Sequence, residues 1–294
     1  MIHRPGYKAG DTLRLILPFL KAYGANDESI QRFSSQNLLL VPYAAEMLKN
    51  ARDVMPVFII STSYRPYIAA LCDAIDFPRE NTCCTELQLD KCRQTSSDGA
   101  RLKTLASAVN KMPLLEWSDG ATGPECLSEE NRLIVTMLDE IIWKDVGNMG
   151  SGQMLQWVNP VGGVEKANAI REIVKKENAS LAGVIYFGDS ITDVEAFRLV
   201  RENGGVAVSF NGNGYAIREA EIAVLSPDAR MIGFIANVFR QLGKDDTLIM
   251  ARNWPTDQEN KKVVLLTEDN REEWAEKSAA FRKTVRGEQI AQLG

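Results

Sequence analysis

Two hydrophobic rhythms alternate along this chain. Near its start, DTLRLILPFLKAYG (11–24) sets Leu13, Ile16, Leu17 and Leu20 at helical spacing, with Asp11 as N-cap, Gly24 as stop and Pro18 as a predicted kink. A second helix is expected over 43–52, entered through Pro42. The short β-rich run VFII (57–60) then passes through Ser61, Thr62 and Ser63 into the helical pattern YRPYIAALCDAI. Strand, polar turn and helix make one α/β unit.

The unit recurs in the second half. Helix 165–177 leads to strand 183–187, helix VEAFRLVREN, strand 205–210, a Gly/Asn loop and strand 221–225. This alternation predicts an α/β fold with a doubly wound, mostly parallel sheet and helices on both faces. Ligands then belong at the C-terminal ends of the strands. Residues 82–157 break the pattern. They hold a strand-like CCTELQL, a polar QTSSDGARLK, the Gly/Pro-rich SDGATGPE and a helix capped near Ser128 with an acidic first turn. An inserted α+β domain is expected there, with 1–81 and 158–244 as the two parts of the core. The remainder, 245–294, reads as an extension with a strand at 263–266 and a charged helix over 271–290, expected to lie outside the core with a solvated face.

A chain of 294 residues has room for such a core and its insertion. The net charge is -5, with Lys and Arg scattered, which argues against a nucleic-acid footprint. The longest apolar runs fall far short of the roughly 18 residues a membrane span needs, and no apolar segment opens the chain, so a cytoplasmic protein without membrane insertion is expected. Five cysteines (Cys72, Cys83, Cys84, Cys92 and Cys126) form no CxxC pair, and His3 is the sole histidine. Reduced thiols fit this better than a disulfide framework or a zinc site.

Chemistry is concentrated in VIYFGDSITDVEAF (184–197). An aspartate at the end of a buried strand needs a cation or donors to satisfy it. Asp189 follows the strand and Asp193 comes one helical turn later, so both can face one point above the strand ends. Such hard oxygen ligands suit Mg²⁺ beside a phosphate; the plainer alternative is two caps on the following helix. Ser61 and Thr62, between strand and helix, are placed to receive phosphate oxygens at a helix N-terminus, or simply to cap it. Lys166 starts a helix, where a cation opposes the macrodipole unless an anion is held nearby.

In this order the residues resemble the haloacid dehalogenase (HAD) superfamily of phosphotransferases. The resemblance covers about 40–80 and 158–230, including GGVAVSFNGNGYAIREAEIAVLS after the acidic motif. It implies that Ser61, with Thr62 as the register alternative, binds a phosphoryl group. It also implies that Lys166 steadies the phosphorylated intermediate and that Asp189, then Asp193, ligate Mg²⁺. The interval between Ser61 and Lys166 matches the superfamily's inserted cap. Within the superfamily the chain resembles an archaeal branch, some members of which are labelled subunit R of an energy-converting hydrogenase.

One part does not match. The superfamily's nucleophile sits in DxDxT or DxDxV at the end of the first core strand, with one Asp attacking phosphorus and the other acting as acid and base. Upstream of Ser61 the DT pair is Asp11-Thr12, which opens a helix, and Asp27 and Asp53 are isolated acids. Either the strand precedes this chain or another segment fills its slot, VVLLTED (263–269) being the candidate. Two functions follow. One is an Mg²⁺-dependent phosphohydrolase of a small phosphorylated substrate, inactive as written. The other is a HAD-like accessory or binding protein, with a protein partner such as a hydrogenase complex, expected to keep Mg²⁺-dependent phosphate binding without turnover. An unrelated nucleotide-binding fold is a third reading, against which the lack of GxGxxG or a P-loop motif counts.

Overall fold

The computed structural model describes residues 7–115, 127–255 and 261–287. His3, Cys126, all of SDGATGPE and positions 288–290 of the expected last helix lie outside the described residues. The protein is a mixed α/β molecule whose chain gathers into two compact units, Met1–Asn37 with Thr62–Ala70 and Cys84–Val161, and Leu38–Ser61 with Leu71–Cys83 and Gly162–Gly294. Residues 1–37, expected in the core, thus gather with 84–161 instead.

The first unit is helical. Helix α1 (Thr12–Ala22) contains Pro18, as expected, but buries Leu15, Leu17 and Pro18, while Ile16 is exposed. The expected stripe is displaced because α1 is covered from two sides. Leu15 packs with Leu102, Leu105 and Ile142, and Leu17 with Leu87, Leu89 and Met154. Asp11 does not cap α1; its buried carboxylate takes the backbone N–H of Lys8 at 2.9 Å and the Arg14 guanidinium at 2.6 Å. Helix α2 (Asp27–Gln36) is capped by a reciprocal Asn26–Ser29 pair. The polar stretch after Cys92 is also helical, as α5 (Ser96–Val109), with Thr95 accepting from the N–H of Asp98. Ser128 caps α6 (Glu129–Asp139) as its sequence predicts, and a π-helical turn (Glu140–Val146) and the short α7 (Met154–Trp157) follow.

In the second unit, strands β3 (Ile185–Gly188), β4 (Val206–Phe210), β5 (Ile222–Leu225) and β6 (Lys262–Leu265) form one sheet in that order. The first three are parallel and β6 runs antiparallel to β5. Every residue of β4 and β5 is buried, which explains why they read as unbroken apolar runs rather than alternating ones. Helices α8 (Val164–Lys176), α9 (Val194–Glu202), α10 (Gly214–Glu219) and α12 (Arg271–Arg286) belong to this unit, together with α3 (Ala44–Arg52). So does α11 (Arg230–Arg252), which kinks at Gly243 (φ 81°). Phe197 and Val200 of α9 pack with Ile217 and Ala223, while Ile235 and Phe239 of α11 pack with Val206, Val208 and Val224.

A separate pair joins β1 (Ile59–Tyr64) to β2 (Thr82–Thr85). Helix α4 (Arg65–Ile75) begins only after Tyr64, so the strand is longer than VFII and takes in Ser61, Thr62 and Ser63. Cys72, Cys83, Cys84 and Cys92 are in no disulfide. Among the described residues no helix is long and apolar enough to cross a membrane.

Candidate functional site

The GDSITD motif folds as its residue types dictate. Strand β3 ends at Gly188, and the chain turns through Asp189 and Ser190 into a single 3-10 turn, Ile191–Asp193, that feeds α9. A Cβ on Gly188 would lie 2.6 Å from Cγ of Asp193 and 2.9 Å from the Phe197 ring, so the close return of Asp193 over the strand end excludes any larger residue.

Asp193 is 2% exposed and fully engaged. Its Oδ1 accepts from the Lys166 ammonium at 2.7 Å and the Tyr186 hydroxyl at 2.6 Å. Its Oδ2 accepts from the backbone N–H groups of Asp189 (3.1 Å) and Ser190 (3.0 Å) and from the Ser190 hydroxyl (3.2 Å). Burial alone would raise this carboxyl; the Lys166 charge, its hydrogen bond and the Tyr186 donor outweigh it and hold Asp193 below the usual aspartate value. Burial first, and then the adjacent carboxylate, push the Tyr186 phenol well above its usual value, so it stays a neutral donor. Lys166, in the first turn of α8, is itself buried, and the anion that its position in the sequence calls for is Asp193.

Asp189 is held from the other side. Its Oδ2 receives Arg282 and Arg286 of α12, each at 2.8 Å. The buried Arg282 guanidinium also donates to the carbonyls of Asp189 (3.0 Å) and Asn211 (3.2 Å), directly after the ends of β3 and β4. Asn211 stands at φ 49°, a left-handed conformation that asparagine tolerates, and exchanges two hydrogen bonds with Ser226 beyond β5. With one carboxylate and two guanidinium groups, this corner carries a net positive charge.

Lys166 thus pairs with Asp193, while the Asp189 carboxylate turns to Arg282 and Arg286 of α12. Ser61 and Thr62 lie within β1 rather than at a helix start, and the Thr62 hydroxyl is buried without a hydrogen-bond partner. Sequence reasoning missed Tyr186, Arg282 and Arg286. The two arginines are spaced i, i+4 in a helix whose charge suggested a solvated face, yet Ala275, Ser278 and Arg282 are buried. That spacing was the visible signal; the partner, far away in sequence, was not. The fit of Mg²⁺ follows from these contacts. Both oxygens of Asp193 are committed, and a cation on Asp189 would stand beside two guanidinium groups already held on its Oδ2. Among the described residues, no cluster of three or more His, Cys, Asp or Glu side chains could hold a metal. As arranged, the donor set does not fit the ion.

The spare strand also has a place: 263–266 falls largely in β6, at the opposite edge of the sheet from β3, so it does not fill a slot beside the motif.

Comparison with protein-family models gives no match, and comparison with curated proteins gives none. Among solved structures the chain is similar to the gene product AF1437 of Archaeoglobus fulgidus, at 24% identity and TM-score 0.81, over 98% of this chain and 83% of that one. At that identity the likeness speaks to the fold alone: this chain shares the α/β fold of AF1437.

Proposed function

We propose that this protein is a HAD-like accessory protein without phosphotransfer activity, one that has also given up the Mg²⁺-dependent phosphate binding its sequence suggests, its doubly wound core joined to a cap-like unit. The observation that carries the proposal is the occupancy of the two motif aspartates: Asp193 by Lys166 and Tyr186, Asp189 by Arg282 and Arg286. Here each carboxylate is paired with the chain's own cations. The corner then ties α8, α9 and α12 to the strand ends. Calorimetric titration with Mg²⁺, with and without inorganic phosphate, tests this directly. No saturable heat is expected in either case. A stoichiometric Mg²⁺ site lost in Asp189→Asn would overturn the proposal.

A second reading is favoured by one feature of the sheets. Among the described strands, β3 is paired with β4 alone and so ends its sheet. An added strand ending in DxD, supplied from outside these 294 residues, would find unpaired backbone there and bring a nucleophile to Asp189. This reading is an Mg²⁺-dependent phosphohydrolase of a small phosphorylated molecule. The coding sequence preceding Met1 decides it: with no in-frame apolar strand followed by DxD, the reading fails.

A further inference from the structure

The helical unit contains a groove that the motif residues do not explain. It lies between α1, α2, the end of β1 and the start of α4, with a volume of about 790 Å³. Small-molecule sites typically enclose about 300–1,000 Å³. Four aromatic rings line it, Tyr23, Phe33, Tyr64 and Tyr67, with Leu20 and Ile30 between them. Phe33 is 66% exposed and Tyr23 64%, an uncovered aromatic surface that water does not favour. Tyr64 is fixed in place by its hydroxyl, which donates to the Leu13 carbonyl at 2.6 Å, and burial keeps it protonated by raising its pKa well above the usual range.

The charge in the groove's described lining is a cation. Arg32 is the one charged residue in its described lining, and Lys103 stands 5.6 Å from the centre of the Tyr23 ring, giving a second cation at the rim. None of its described lining residues carries a carboxylate. The nearby Asp27 is turned away, accepting from the backbone N–H groups of Leu89 and Asp90. Flat apolar walls with a cation at the lip complement a ligand that is aromatic at one end and anionic at the other. We propose that this groove is a binding site for an aromatic anion of small-molecule size. The ring stacks among Tyr23, Phe33 and Tyr67, and the anionic group meets Arg32. The inference stands on the groove alone and holds whichever functional reading is correct.

Anilinonaphthalene sulfonate, an aromatic sulfonate that fluoresces when removed from water, is the probe. The intact protein is expected to bind it saturably at one site per chain. Arg32→Glu and Phe33→Ser, both at exposed positions, should each weaken binding roughly tenfold or more. Lys176→Glu on α8, outside the groove, should leave it unchanged. The uncharged analogue N-phenylnaphthylamine should bind more weakly than the sulfonate, and that gap should close in Arg32→Glu. Absence of saturable binding, or binding that Arg32→Glu and Phe33→Ser leave untouched, overturns the proposal. So does a dimer in sedimentation that Phe33→Ser dissociates, since the face then serves self-association.

Discussion

Five hydrogen bonds converge on the Asp193 carboxylate, from Lys166, Tyr186, two backbone N–H groups and the Ser190 hydroxyl. Asp193→Asn removes the charge and leaves the Lys166 ammonium buried beside a neutral amide. Breaking one side of a buried pair costs about 3–5 kcal/mol, which a urea midpoint should report. Acid dependence gives an independent check. The folded carboxyl lies below its ordinary value of 3.8, so below that pH the unfolded chain binds more protons than the folded one. Stability from this group is therefore complete above about pH 4 and is lost as pH falls through the folded value. The gap between wild type and Asp193→Asn should narrow in that window. A gap independent of pH would mean that the ionised pair is not what stabilises the corner. Gly188→Ala should also destabilise the protein, by about 1–3 kcal/mol, because its methyl group meets Asp193 and Phe197 below contact distance. A neutral effect on thermal unfolding would show that the turn is looser than drawn.

At the scale of elements, α12 is fastened through its arginines. Arg282 is buried and serves three acceptors, whereas Arg286 is 30% exposed at its side chain. Arg282→Ala is thus expected to cost about 3 kcal/mol and to make α12 the first segment cut in limited proteolysis, while Arg286→Ala costs about 1 kcal/mol or less. Equal losses would contradict the separation. The same helix shows what the sequence could and could not reveal. From α8 through β5 the helices and strands were legible to within about two residues, except α10, which lies in the stretch expected as a Gly/Asn loop; strands buried on both faces and amphipathic helices leave a periodic record in the residues themselves. Asp193 and Lys166 could be located for the same local reason, an acid in one turn after a strand and a lysine at one helix start, whereas their pairing with each other could not be read from the sequence. The contacts of α12 were not, since the partners of Arg282 lie at Asp189 and Asn211, and no periodicity records which distant carboxylate a buried guanidinium will meet. Strand β1 ran past its apolar residues for a related reason. Ser61, Thr62 and Ser63 look like a turn in isolation, but Thr85 of β2 binds the Thr62 carbonyl at 2.7 Å and holds the segment extended. Helices α2 and α5 were missed because their sequences are largely polar, with caps rather than long apolar stripes to announce them.

Across the whole molecule, the fold and the chemistry point different ways. The order of β3, β4 and β5, the acidic turn after β3 and the lysine opening α8 are the features on which the proposed HAD likeness rests. Yet each charged member is already paired within the chain, and among the described strands β3 ends the sheet. A protein so arranged should hold its shape without a divalent cation. Its thermal midpoint should not shift between EDTA and millimolar Mg²⁺, since only ligands that bind the native state raise it. The central claim is that the corner built by Asp189 and Asp193 is a structural ion-pair cluster and not a catalytic site. The most direct measurement is release of p-nitrophenol from p-nitrophenyl phosphate by the 294-residue chain in the presence of Mg²⁺. The account predicts no release above the uncatalysed rate; turnover by the intact chain that Asp189→Asn abolishes, with the fold preserved, would contradict it.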